Sequence, residues 1–286
     1  MKQLSNLTKV MFCIVAVLLV ITVALGIATA VKDSKRENKK ENATTVTPLP
    51  SPSAVPTEEV TPTPTATPAP TEAASLGHRI ALDPGQQKEA MTEDEPVGPG
   101  SSTMVDKMSY GATSVTTSKR EYEWSLPFTI KLKEELIARG YDVVLTREEA
   151  DVKISNAERA QFVNESGADI YISIQADAAS SATANGMYAQ IPSKNSPYIS
   201  SLYSKCNKLA TNIQTALIAE TGAYDRGVQE TDKVTAINWS EVPVTVLQLG
   251  FMSNKDEDAK LWSEEYQNKM VKAICDGIDA YFKAIE

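Results

Sequence analysis

Histidine is almost missing from this chain: there is one, His78, among 286 residues. A lone imidazole cannot build a zinc site of the usual kind. Cysteine is nearly as scarce, with Cys13, Cys206 and Cys275 and no CxxC spacing. Cys206 and Cys275 fall in helical patterns and read as small buried hydrophobes, not as a disulfide or a metal pair. An excess of basic charge is also lacking. The formal net charge is −9, which argues against non-specific nucleic-acid binding.

The N-terminal part has no globular pattern. Residues 1–9 read as a short cytoplasmic start. Residues 10–31, Val10 to Val31, form an almost unbroken apolar stretch, long enough at ~1.5 Å per residue to cross a bilayer core of ~30 Å. A secretory signal peptide is the rival reading, because Ala28-Thr29-Ala30 has the small residues of a cleavage site; the length of the apolar core favours an uncleaved transmembrane anchor. Lys32, Lys35, Arg36, Lys39 and Lys40 follow the span and by themselves would place the remainder inside. Large domains, however, translocate largely regardless of charge, and the next segment suits the outside. That segment, within residues 32–76, is rich in Thr and Pro, with Pro48, Pro50, Pro52, Pro56, Pro62, Pro64, Pro68 and Pro70 close together. Such a composition predicts a disordered, extended linker at ~3.1 Å per residue, a tether of up to ~100 Å. The expected location is a bacterial cell membrane, single-pass, with the large domain extracytoplasmic. The tether length points to a Gram-positive envelope.

Residues 77–286 alternate strand and helix. Strands are predicted at Arg79–Asp83, Asp142–Arg147, Ile170–Ala176, Gly186–Ile191 (a more exposed one) and Val244–Gly250. Helices are predicted at Glu121–Arg139, Ser155–Ser166, Pro197–Thr221 and Glu264–Ile285. The alternation predicts a single three-layer α/β domain with a mostly parallel twisted sheet flanked by helices. Between Gln86 and Glu121 there is no periodicity, which predicts a long loop arching over the sheet's carboxyl end.

Three glutamines close apolar runs: Gln86 after Leu82-Asp83-Pro84-Gly85, Gln175 after Ile172-Ser173-Ile174, and Gln248 after Val246-Leu247. Each is therefore expected where open α/β sheets hold their ligand crevice. With Ala81-Leu82-Asp83-Pro84-Gly85, Glu121 and its helix, Val143-Val144-Leu145-Thr146-Arg147, Asn156 to Arg159, Ser173-Ile174-Gln175-Ala176-Asp177, Asp225-Arg226-Gly227-Val228 and Gln248-Leu249-Gly250-Phe251-Met252-Ser253-Asn254, the order of motifs resembles the zinc-dependent N-acetylmuramoyl-L-alanine amidases of the bacterial cell wall, across Arg79 to Phe282.

That resemblance implies zinc held by two histidines and a glutamate, with a second glutamate as general base. The bond cut joins N-acetylmuramic acid's lactyl group to L-alanine. Carried over residue by residue, the histidines become Gln86 and Gln175, the glutamate ligand remains as Glu121, and the base becomes Gln248. Zinc takes imidazole, thiolate or carboxylate, and a glutamine side chain cannot accept a proton in general-base catalysis. The expectation is a zinc-free pseudoenzyme in which Gln86, Glu121, Gln175 and Gln248 form a polar floor for peptidoglycan, with Arg226 as a partner for a stem-peptide carboxylate or a structural ion pair. Two alternatives stand beside it. One is an active amidase with a metal on Glu121 and Asp177; the other is a scaffold for envelope proteins.

Other candidates read as structural. His78 is expected at an exposed junction, and Glu123 on a different helix face from Glu121. Trp239 and Tyr188 could stack on a sugar but suit packing better. Arg147, Arg159 and Asp83 are expected to brace the sheet's end.

Overall fold

A computed structural model of the chain describes residues 75–285. The predicted cytoplasmic start, membrane span and most of the linker lie outside the described residues. Among the described residues no helix is long and apolar enough to cross a membrane.

The elements run β1 (Arg79–Pro84), β2 (Met91–Pro96), β3 (Met104–Met108), α1 (Glu121–Ala138), β4 (Asp142–Leu145), α2 (Asn156–Glu165), β5 (Ile170–Asp177), β6 (Met187–Ile191), a 3-10 turn (Ser200–Leu202), α3 (Tyr203–Thr221), β7 (Asp225–Glu230), α4 (Thr235–Asn238), β8 (Val244–Phe251), α5 (Lys255–Leu261) and α6 (Glu264–Lys283). Six strands form one sheet in the order β4-β1-β5-β8-β6-β7. The first four are mutually parallel; β6 runs antiparallel to β8, and β7 pairs parallel to β6. The expected α/β architecture with a mostly parallel, helix-flanked sheet is what the chain adopts. From β1 the chain crosses to β4 on one side and then to β5 on the other, so the strand order switches at β1, where such sheets open a crevice at their carboxyl ends.

Burial explains the central strands. All eight residues of β8 are buried, as expected for a strand covered on both faces. α1 buries Trp124, Ser125, Phe128, Thr129, Leu132 and Leu136, the three-and-four spacing of one helical face. Each large apolar side chain so removed from water stabilises the fold by ~1.5–3 kcal/mol. α6 packs against both α1 and α3, and α2 packs against α4. Cys206 and Cys275 are free and buried, in the hydrophobic role read for them.

Several boundaries and elements differ from the sequence reading. The stretch before α1 is not structureless: β2 and β3 pair as an antiparallel hairpin. It is pinned at Glu95, which accepts the Ala157 N–H at the start of α2, and at Pro96 and Val97, whose carbonyls accept from Trp239 Nε1 and Asn238 Nδ2. Exposed polar residues on this ribbon hid the period-two pattern. β6 is an interior strand with Met187, Ala189 and Ile191 buried, so it is less exposed than predicted; the apolar face was only three residues long. β7 was not read as a strand, being an edge with no buried residue. α3 begins at Tyr203, not near Pro197, after the 3-10 turn. His78 is no exposed junction residue: it is half-buried, its ring stacked 4.0 Å from Phe282 with Nδ1 3.5 Å from Asp169. The α6 residue that covers it lies some two hundred positions away, beyond the reach of local pattern.

Candidate functional site

Two arginines build the turn after β1. Arg159, one turn into α2, reaches the buried Asp83 at 2.7 Å and donates to the carbonyls of Pro84 and Gln86 at 3.0 and 2.9 Å. Arg147, just past β4, donates to the carbonyls of Pro84 and Gly85. Asp83 also accepts from Thr146 and Ser173 hydroxyls. Burial works to raise its pKa, and Arg159 with the hydroxyls outweighs that, holding Asp83 below its ordinary value. These three residues brace the sheet's end as the sequence suggested. α2 is set in place by a capping box, Ser155 accepting from Glu158 N–H and Glu158 from Ser155 N–H, a device that satisfies two otherwise orphan donors.

The braced turn delivers Gln86 with φ of +63°. A non-glycine residue in the left-handed region is uncommon and carries strain of order 1 kcal/mol, a cost that clusters at functional sites. Gly85 lies against β5, where a Cβ would stand 2.6 Å from the Ile174 carbonyl oxygen and 2.7 Å from Gln175 Cγ. No other residue fits there.

Gln175 and Gln248 are register partners on the adjacent parallel strands β5 and β8, so their side chains share a face. They bond each other, Gln248 Nε2 donating to Gln175 Oε1 at 2.9 Å. Glu121, the first residue of α1, continues that helix's buried face to the same place. It is 2% exposed, and its two oxygens accept the N–H groups of Ala112 at 2.9 Å and Ala176 at 3.1 Å. Burial pushes its carboxyl up to about 7 despite those bonds, and Asp177 adds to the rise. Glu123 points elsewhere, accepting the Arg120 N–H at the helix start.

Gln86, Glu121, Gln175 and Gln248 thus line one pocket of 380 Å³, with Ser109, Tyr110, Gly111 and Asp177 among their neighbours. Ser109 donates to Gln86 Oε1 at 3.2 Å. Gly111 (φ +68°) backs onto Glu121, with room for no Cβ: one would lie 2.3 Å from Oε2. Sequence reasoning missed this wall. Its only local signal was the glycine. Arg226 is not part of the pocket: it is exposed, stacks its guanidinium 4.9 Å from the Phe251 ring centre and donates to the Asn185 carbonyl. Tyr188 donates to Asp177 at 2.5 Å. Trp239 does not line the pocket: it packs against the core and donates Nε1 to the Pro96 carbonyl. Among the described residues no group of three or more His, Cys, Asp or Glu is placed to hold a metal.

The model of the N-acetylmuramoyl-L-alanine amidase family matches residues 80–280. The chain belongs to that family. Among relatives of the amidase domain, YqiI, an uncharacterised protein of Bacillus subtilis, is 34% identical over 157 residues, 54% of this chain and 68% of that protein. The N-acetylmuramoyl-L-alanine amidase LytC of the same organism is 31% identical over 165 residues, 57% of this chain but only 31% of LytC. Two solved structures share the amidase fold. An N-acetylmuramoyl-L-alanine amidase from Clostridium difficile 630 has a TM-score of 0.60 at 24% identity, covering 74% of this chain and 98% of that one. The CwlD amidase of Clostridioides difficile, solved in complex with the GerS lipoprotein, has a TM-score of 0.58 at 23% identity, covering 73% and 100%.

Proposed function

We propose that this chain is a membrane-anchored member of the cell-wall amidase family that has lost hydrolysis and keeps peptidoglycan binding. The observation that carries the reading is the bond between Gln248 and Gln175. Where the family resemblance calls for an ionisable base and an imidazole ligand, two neutral carboxamides are bonded to each other. The donor set does not fit zinc: three carboxamides and one carboxylate converge, without imidazole or thiolate. No metal-activated water is therefore invoked, and Gln248 has no proton affinity with which to act as general base. A metal on Glu121 and Asp177 is disfavoured by the bonds those carboxylates already make, Glu121 with two backbone N–H groups and Asp177 with Tyr188 and the Ala178 N–H.

What remains suits recognition. The pocket is lined by amide-like donors and acceptors that match a glycan bearing a peptide stem. Family membership and the likeness to LytC support peptidoglycan as the ligand. The anchor at residues 10–31 and the proline-rich linker would hold the domain outside a bacterial membrane. The complex of CwlD with a lipoprotein supports an envelope protein as a further partner.

Purified full-length chain tests this beside a variant carrying Gln86→His, Gln175→His and Gln248→Glu. The parent is expected to hold no zinc, to release no stem peptide from sacculi and to co-sediment with them; the variant is expected to take up zinc. A zinc-loaded parent that cleaves sacculi overturns the loss of hydrolysis, and a parent that stays in the supernatant overturns binding.

A further inference from the structure

The wall of the pocket that carries Ser109, Tyr110, Gly111 and Ala112 runs into a loop whose two ends are tied together. The Ala112 carbonyl accepts the Glu121 N–H at 2.9 Å, and the Ala112 N–H donates to Glu121 Oε2. Thr113 and Arg120 form a bridge, and the Ser114 N–H donates to the Lys119 carbonyl at 2.8 Å. The chain turns back through Ser118 at φ +60°. Val115 is 56% exposed, so apolar burial does little to hold the tip down.

Besides the Val115 N–H on the Met252 carbonyl at 3.2 Å, the tip is held by Asp258 of α5. That carboxylate is 0% exposed. Its Oδ2 accepts from Ser114 Oγ at 2.7 Å, from the Thr116 N–H at 2.7 Å and from Thr116 Oγ1 at 2.6 Å. Ser114 Oγ, its proton committed to Asp258, accepts in turn from the N–H and hydroxyl of Thr117 at 2.9 and 2.7 Å. Oδ1 accepts Trp262 Nε1 at 3.2 Å, and Lys119 Nζ lies 5.1 Å from the centre of that ring. Donors thus face both oxygens, which suits a group that only accepts; a carboxamide would turn its own N–H groups onto one set of them. α5 follows directly on β8, the strand that carries Gln248 of the pocket floor. Asp258 therefore fastens the wall to the element that bears the floor.

We propose, building on the binding function above, that Asp258 is a positioning residue for the ligand: without lining the pocket, it fixes the Ser109–Ala112 wall against Gln86 and Glu121 before the ligand arrives. A wall ordered in advance spares the ligand the entropic cost of ordering it. The neighbouring Glu257 provides a matched comparison. It is also buried, at 8% exposed, but holds a different loop, accepting the Gly186 N–H at 2.8 Å, and it does not line the pocket either.

Amide hydrogen exchange and titration calorimetry with a soluble disaccharide-peptide, both on the full-length chain, test this. Asp258→Asn should quicken exchange across residues 109–119 and weaken binding about 10-fold. Glu257→Gln should quicken exchange around Gly186 and leave the affinity unchanged. Thr116→Val, which removes one donor, should move both readouts in the direction of Asp258→Asn, and Thr116→Ser, which keeps the hydroxyl, should restore both. Should Asp258→Asn show no native melting transition, the Thr116 pair decides. A loosened wall with undiminished affinity overturns this inference and leaves the binding function standing. So does unaltered exchange across 109–119, or an equal loss of affinity in Glu257→Gln, which would mark general destabilisation. An unaltered chain that binds neither the disaccharide-peptide nor sacculi overturns the binding function and this inference together.

Discussion

Glu121 shows how a single carboxyl can change character without changing identity. As the first residue of α1 it would gain from the positive end of the helix, and two backbone N–H groups stabilise its ionised form. Burial outweighs both, lifting its pKa from the ordinary 4.5 to about 7. A carboxyl whose folded value is raised binds more protons in the folded state, so its contribution to stability is fully present below pH ~4.5 and is lost as pH rises through ~7. At ~1.4 kcal/mol for each pH unit between the two values, the loss is about 3 kcal/mol. Urea unfolding at pH 5 and pH 8 should show the chain less stable at the higher pH. Glu121→Gln should flatten that difference while costing about 1–3 kcal/mol at pH 5, since a carboxamide cannot accept from both Ala112 and Ala176. A chain equally stable at both pH values contradicts the assignment. The glutamines were visible in the sequence at strand ends, and their nearness to Glu121 was expected from the family resemblance. That Gln175 and Gln248 are bonded to each other was not, because register between β5 and β8 is a tertiary property.

Among the elements, the hairpin of β2 and β3 departs furthest from the sequence reading. Apolar residues do not alternate along β2: Thr92, Glu93 and Asp94 are exposed and Glu95 is the buried one. A buried carboxylate satisfied by the first turn of α2 is a tertiary arrangement and leaves no apolar trace. The hairpin's hold on the domain is correspondingly polar. Asn238, 1% exposed, donates to Val97 and to Asp232 carbonyls at 2.8 and 2.9 Å. Asn238→Ala leaves both acceptors unmet and is expected to cost about 1–3 kcal/mol. Amide hydrogen exchange should quicken across residues 91–108 more than in β5 or β8, by opening of the hairpin alone. Uniform acceleration throughout the domain would mean that the hairpin is not a separate unit of stability. β7 escaped notice for the converse reason: an edge strand with no buried residue carries no period-two signal. α1, α2 and α3 were legible because each ends at a glycine in the left-handed conformation, Gly140, Gly167 or Gly222, and α6 because its buried residues recur along one face.

For the molecule as a whole, the proposed anchor gives a direct prediction. Full-length chain should sediment with membranes and resist a carbonate wash, and protease added to intact protoplasts should degrade the domain. A soluble chain starting just after Ala30 would instead mark residues 10–31 as a cleaved signal. By itself the sequence determined the α/β class, the central strands and most long helices, because these follow from apolar periodicity and stop residues over short distances. It also bounded the donors on offer, since the one histidine of these 286 residues cannot supply two imidazole ligands. Only the tertiary structure decided how the remaining groups meet: Arg159 and Arg147 bracing the Gln86 turn, Gly111 backing Glu121, Arg226 kept out, and Ser173 linking Asp83 to the two glutamines. Most of those contacts join residues tens of positions apart, and a hydrogen bond's partner and direction are set by three-dimensional proximity, which composition and periodicity do not encode.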